Sequence, residues 1–329
     1  MKKISQTLIL MALFCGATVV FGQQAERTNG IELYRKGSYK ESANALEKFL
    51  KTTPTDAEAR TYLGLAQMRL GKLKDAEKTF DKSLELDPNQ TTAQKAYAYV
   101  LLLRNKPKDS LKAIEALKVS GSALDAESYY IIGWANFKLE DNETALENAE
   151  QAIKLNPKYA NAYLLKAQIF MNRQNPVNDY KMLAVKYGTA ADNIGKFITL
   201  TAESPDIAYW RGQEKTLRVF VDYYNEREKN KSSADKPTPT NATPIKILSK
   251  PRPEYSGRAQ DAGISGTVRL LIEFQANGKI ENVLVLNSLG YGLDEQALKA
   301  ARQIKYEPET RNGNPVTVVK AVEYTFTIY

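Results

Sequence analysis

The chain has 329 residues, 46 of them basic and 38 acidic, for a formal charge of +8 and a hydrophobic content of 43%. That length exceeds what one hydrophobic core usually serves, so two folded units are expected, and the interleaving of basic with acidic residues argues for solvated faces and against nucleic-acid binding. Histidine is absent and Cys15 is the one cysteine, which removes the usual zinc and copper ligands, the commonest general base and any internal disulfide.

Residues 1–22 begin with Lys2 and Lys3, continue through an apolar run from Leu8 to Phe21, and close on Gly22 with Val20 two positions before it. This is the pattern of a secretory signal, and its loss lowers the formal charge to +6. An uncleaved inner-membrane anchor is the rival reading, opposed by a run of about 14 residues where roughly 20 span a bilayer. A lipid-modified Cys15 is opposed by Phe14, which stands where a small residue belongs.

A repeat follows. Pro54, Pro88 and Pro157 are separated by 34 and 69 residues, the latter being one unit of 34 and one of 35. Gly30, Gly64 and Gly133 share one register, with Ala98 and Ala167 as small substitutes; Ala76 and Ala145 share a second, Phe80 is an apolar knob, and Gly37 and Gly71 mark turns. Thr55-Asp-Ala-Glu58 has the form of a capping box. These residues resemble the tetratricopeptide family, strongly in units one, two and four and weakly in three and five. The resemblance implies an all-α solenoid over residues 23–188, in about five units. It also implies a concave groove, toward which Tyr130, Trp134 and Phe137 at i, i+4 and i+7 would face and bind an apolar peptide; packing against neighbouring helices is the alternative. The Lys and Asn pattern that clamps a terminal carboxylate is missing, since Arg27 and Ile31 hold those positions.

Residues 189–226 read as capping helices for the solenoid's last apolar face. Ser204-Pro205 marks a helix start, and Ile207, Trp210, Leu217, Phe220, Val221 and Tyr224 form an apolar stripe. Residues 227–243 are polar and aperiodic, a flexible linker with a reach of about 23 Å. Acidic pairs such as Glu140 and Asp141 fall in repeat turns, and no Gly-rich phosphate loop or nucleophile elbow is seen. No enzymatic activity, catalytic residue, cofactor or metal site is therefore expected.

Residues 244–329 form a distinct α/β pattern. Gly266 to Phe274 alternates, with Val268, Leu270, Ile272 and Phe274 on one face; Asn277-Gly278 supplies a tight turn, and Ile280 to Ser288 returns. Leu293, Ala297, Leu298, Ala301 and Ile304 predict a helix stopped by Pro308, with Lys305 in its last turn. After the Asn312-Gly313 turn, Val316, Val318, Val322, Tyr324, Phe326 and Ile328 share one face of a final strand, with Lys320 the polar interruption. The order Pro251-Arg-Pro-Glu-Tyr255, Ala259, Gly266-Thr-Val268, Gly278, Leu293-Asp294, Ala297, Ala301 and Lys305-Tyr-Glu-Pro308 resembles the C-terminal domain of TonB-type energy transducers. Tyr255-Ser256 departs from the family's usual Tyr-Pro.

The fold class expected is multidomain: a tetratricopeptide solenoid followed by a small α+β domain with a three-stranded antiparallel sheet. The TonB resemblance implies a periplasmic protein that binds a peptide segment of an outer-membrane transporter or other envelope protein by strand addition, and that couples energy to transport. The edge offered is Val316, Thr317, Val318, Val319, Lys320, Ala321, Val322, Glu323, Tyr324, Thr325 and Phe326. A passive envelope scaffold built from the same two modules is the alternative.

Overall fold

The computed structural model describes residues 24–173, 179–231 and 241–328. The expected signal segment and most of the expected linker lie outside them. The chain divides into two compact units, 1–124 and 125–329.

In the first unit, a helix over 24–35 (α1) is followed by α2 (Tyr39–Thr52), α3 (Ala57–Arg69), α4 (Leu73–Leu86), α5 (Thr91–Leu103) and α6 (Pro107–Val119). Successive helices pack as antiparallel hairpins because the small register positions admit their neighbours: a Cβ at Gly64 would stand 2.8 Å from the fully buried ring of Phe80. The turn glycines Gly37 and Gly71 have φ of 81° and 75°. In the third repeat, which has no glycine there, Asn105 takes the same position at φ 57°, a conformation that asparagine tolerates better than most residues. The cap of α3 is Asp56, one residue later than the capping-box reading: its Oδ1 accepts the Ala59 N–H at 2.7 Å while Oδ2 accepts from Arg27 Nε at 2.8 Å. A carboxylate that serves both a helix start and a guanidinium outcompetes the Thr55 hydroxyl.

The second unit opens with α7 (Ala126–Lys138), α8 (Asn142–Leu155), α9 (Ala160–Asn172), α10 (Tyr180–Leu200) and α11 (Ile207–Lys231). The turn between α7 and α8 holds Glu140 at φ 66°, where the first two units have glycine. Helix α11 starts two residues after Pro205, because the Ser204 carbonyl accepts the Ile207 N–H in a turn ahead of it. It continues to Lys231, past Arg227 where the linker was expected to begin.

The C-terminal part comprises β1 (Ala242–Thr243), β2 (Lys246–Ser249), α12 (Gly257–Ala262), β3 (Gly266–Phe274), β4 (Val283–Asn287), α13 (Leu293–Ala301), β5 (Lys305–Glu307), β6 (Glu309–Arg311), β7 (Asn314–Val316) and β8 (Val318–Phe326). The main sheet is antiparallel, in the order β4-β3-β8, with small ribbons β1-β6-β7 and β2-β5 beside it. One face of the main sheet packs on α12 and α13 through Val268, Leu270, Ile272, Phe274, Leu293 and Ala297. The other packs on the helices of the same unit: Leu271, Leu284 and Leu286 share a core with Leu183, Tyr187, Leu217, Phe220 and Tyr224.

Two expectations for this region are corrected. The helix α13 ends at Ala301, well before Pro308, and Lys305–Glu307 is strand β5. Extended backbone there lets Tyr306 bury its ring against Phe274 at 4.9 Å and place its hydroxyl 2.8 Å from the carbonyls of both Gln275 and Lys279, which share its one proton. The final strand is also not continuous from Val316 to Ile328. Val316 pairs with Glu309 in the hairpin built on Asn312 (φ 54°) and Gly313 (φ 79°), the chain breaks at Thr317, and Ile328 lies beyond β8, half exposed.

Candidate functional site: the free edge of strand β8

Strand β8 pairs with β3 from Gly266↔Phe326 to Phe274↔Val318, and among the described residues no second strand pairs with it. Which of its amides face outward can be read from three contacts. The Glu323 carbonyl accepts from Lys250 Nζ at 2.7 Å, so it points away from β3. Thr325 and Thr267 bring their hydroxyls within 3.1 Å, and Arg269 Nε lies 3.8 Å from Glu323 Oε1. Such closeness marks the pairs that do not exchange backbone hydrogen bonds. Residues alternate along a strand, so Val319, Ala321, Glu323 and Thr325 present their N–H and C=O groups to the open edge, whereas Val318, Lys320, Val322, Tyr324 and Phe326 bond β3.

The opposite edge of the sheet is closed. Gln213, buried on α11, accepts the Val285 N–H through Oε1 at 2.8 Å. Of the eleven residues expected to form the binding edge, Val316 and Thr317 are engaged elsewhere: Val316 in the β6–β7 hairpin, and Thr317 through its hydroxyl to Ala276 N–H and its carbonyl to Arg227. Lys250 partly shields the edge, its amine lying 4.7 Å from the centre of the Tyr324 ring as well as on the Glu323 carbonyl. Neither Lys250 nor Gln213 was singled out from sequence. Gln213 had a visible signal, a polar residue inside the apolar stripe from Trp210 to Leu217.

On α7, Tyr130 is only 9% exposed and packs its ring on Trp134 at 5.9 Å and on Tyr159 at 5.5 Å. Trp134 and Phe137 are half-buried. The first helices of these repeats also face the chain's own sheet. Helix α9 contacts β4, Leu164 and Phe170 pack beside Leu284 and Leu286, and Asp294 acts electrostatically on Lys138, whose amine burial pushes below its ordinary value. Part of the groove is thus filled from within. Among the described residues no group of acidic or thiol side chains is arranged to hold a metal, and no helix is long and apolar enough to cross a membrane.

The fold defines a helical-repeat protein with a small α+β domain following the repeats. Residues 251–328 match the family model for the Gram-negative bacterial TonB protein C-terminal, and residues 27–91 and 126–159 match tetratricopeptide repeat models. The chain therefore carries tetratricopeptide repeats and a TonB C-terminal domain, with the repeat models falling on units one, two and four. Protein TonB of Klebsiella pneumoniae is 33% identical over 88 residues, 26% of this chain and 36% of that protein. DnaJ homolog subfamily C member 7 of Mus musculus is 28% identical over 163 residues, 44% of this chain and 33% of that protein. This chain thus spans about a third of the length of these relatives. The solved structure of MamA, residue 41 to the end, from Desulfovibrio magneticus RS-1 is 26% identical with a TM-score of 0.43, covering 56% of this chain and 97% of that one. Both matched families are typically non-catalytic interaction modules, and together they suggest a protein–protein interaction role in the cell envelope.

Proposed function

We propose that this protein acts in the periplasm by capturing an extended segment of an outer-membrane transporter as an added strand on β8. The observation that supports this is the asymmetry of the sheet: α11 closes the β4 edge through Gln213, while β8 keeps four residues with outward backbone groups. Main-chain hydrogen bonds would supply the affinity and the alternating pockets the selectivity. Lys250 holds the place of a donor on the Glu323 carbonyl and is displaced when the partner strand arrives.

Proline scanning in the full chain tests this. Thr325→Pro and Ala321→Pro each delete one outward donor and should abolish capture of envelope proteins, while Thr325→Ser should be nearly silent. Circular dichroism of each variant establishes that it is folded. Folded proline variants at all four outward amides that still bind at full strength would overturn strand addition. Energy coupling additionally requires an inner-membrane anchor, so mass spectrometry of the mature N-terminus separates the two roles: retention of residues 1–22 supports transduction, and their loss supports a passive adaptor.

A further inference from the structure

Beside the open edge lies a cavity of about 620 Å³, walled by α9, α10 and α11 on one side and by the sheet on the other. Its lining is electrically one-sided. Arg173, Lys186, Arg227, Arg269, Arg311 and Lys320 all contribute to it, against Glu309 as the one acid of the lining. Glu309 is already shared between Arg311 at 2.9 Å and Lys320 at 3.9 Å.

Two of these cations, Lys186 and Arg269, lie close enough to act on each other, and one of them is buried. Lys186 is 8% exposed and donates to the carbonyl of Arg173, and burial, with Arg269 nearby, pushes its amine down to about 8. Arg269 is part-exposed; its Nε makes no hydrogen bond, and Glu323 Oε1 stands 3.8 Å away. Concentrating like charges around a void is unfavourable unless something of opposite sign occupies it. The same cavity is walled by Val318, Val319, Lys320 and Ala321 of β8, so a segment paired along that edge runs past its mouth.

We infer that this cavity seats the carboxylate side chains of the captured segment, so that the partner is an acidic extended peptide with Asp or Glu at alternate positions. The inference rests on the strand-addition reading: an added strand turns every second side chain to one face of the sheet. Guanidinium groups are well suited to carboxylates, which they bind in a fork geometry.

The probe is a fluorescein-labelled octapeptide of alternating Thr and Glu, titrated into the full chain and followed by anisotropy. The Arg173→Gln/Arg269→Gln double variant should bind it about tenfold more weakly, as should wild type offered the Thr/Gln peptide. Lys40→Gln/Lys74→Gln, the same charge change on exposed residues of the first unit, should leave binding within about twofold. Equal binding of the Glu and Gln peptides, or equal losses in the two double variants, would overturn the cavity site. A Thr/Glu peptide N-methylated at alternate residues separates this inference from strand addition, because methylation blocks backbone pairing and leaves the charge intact. Sensitivity to methylation without sensitivity to the arginines leaves strand addition standing and sinks the cavity. Sensitivity to the arginines alone supports an anion site and sinks the pairing.

Discussion

Gln213 Oε1 accepts the backbone N–H of Val285 at 2.8 Å, tying the middle of α11 to the outer edge of β4. The glutamine is 5% exposed and Val285 4%, so water cannot replace either partner. Removing the acceptor leaves a buried donor unpaired, which costs about 1–3 kcal/mol. Gln213→Leu should lower stability by that amount and speed hydrogen exchange at Val285, whereas Gln213→Glu should retain the bond. Unchanged exchange at Val285 in the leucine variant would show that the bond is not made in solution.

Glu140 sits at φ 66° in the turn where two other repeats have glycine. Left-handed backbone disfavours a residue with a Cβ by roughly 1–2 kcal/mol, partly offset by the greater freedom glycine has when unfolded. Glu140→Gly should therefore raise stability by about 1 kcal/mol in urea denaturation, and Glu140→Val should lower it. Asn105→Gly should gain less, since asparagine enters this region more readily.

Lys186 makes stability depend on pH in a definite direction. Its folded pKa, pushed down to about 8 by burial and then by Arg269, lies below the unfolded value near 10.5. Between these values the unfolded chain binds more protons, so stability rises with pH from about 8 to 10.5, by at most on the order of 3 kcal/mol. Tyr187 opposes it from above: burial raises its phenol to about 12, so its contribution is present below pH 10 and is lost as pH rises toward 12. The melting temperature should climb from pH 8 to about 10 and then fall, and Lys186→Met should remove the climb.

Tyr130 and Trp134 stack on each other but differ in burial. Tyr130→Ala should cost about 3–5 kcal/mol, the usual penalty for emptying a buried aromatic site. Phe137→Ala, at a half-buried position, should cost less than half of that. If Trp134→Ala weakens partner binding with little change in melting temperature, the aromatic row serves recognition; a melting loss as large as that of Tyr130→Ala would assign it to packing.

Much of this was legible along the chain because repeat architecture is written in spacing. Gly30, Gly64 and Gly133 had to be small for the same steric reason in each unit, and the hairpin at Asn312-Gly313 follows from two positive φ values. What escaped was set by contacts distant in sequence. The run Val283-Leu-Val-Leu286 lacks alternation because the sheet is buried on both faces, one against α13 and one against α11, and periodicity cannot reveal the second layer. Tyr306 was read into a helix because local spacing favoured one, and its place is decided by the ring of Phe274 and two carbonyls across the hairpin. The open edge could be anticipated from the long β pattern. Its true extent could not, since Thr317 is drawn away by Ala276 and Arg227.

The layer of Leu271, Leu284 and Leu286 against α11 also decides how the protein can be dissected. Cutting at the polar stretch before residue 244, the boundary that composition invites, would strip three leucines and Val319 of their cover and hand the fragment an oily back. Such a fragment would stick to itself and to surfaces, and any weak binding it showed would report that exposed back as readily as the strand edge. A piece that starts at Asp125, the boundary of the compact unit, keeps both faces of the sheet dressed, because α9, α10 and α11 travel with the domain they shelter.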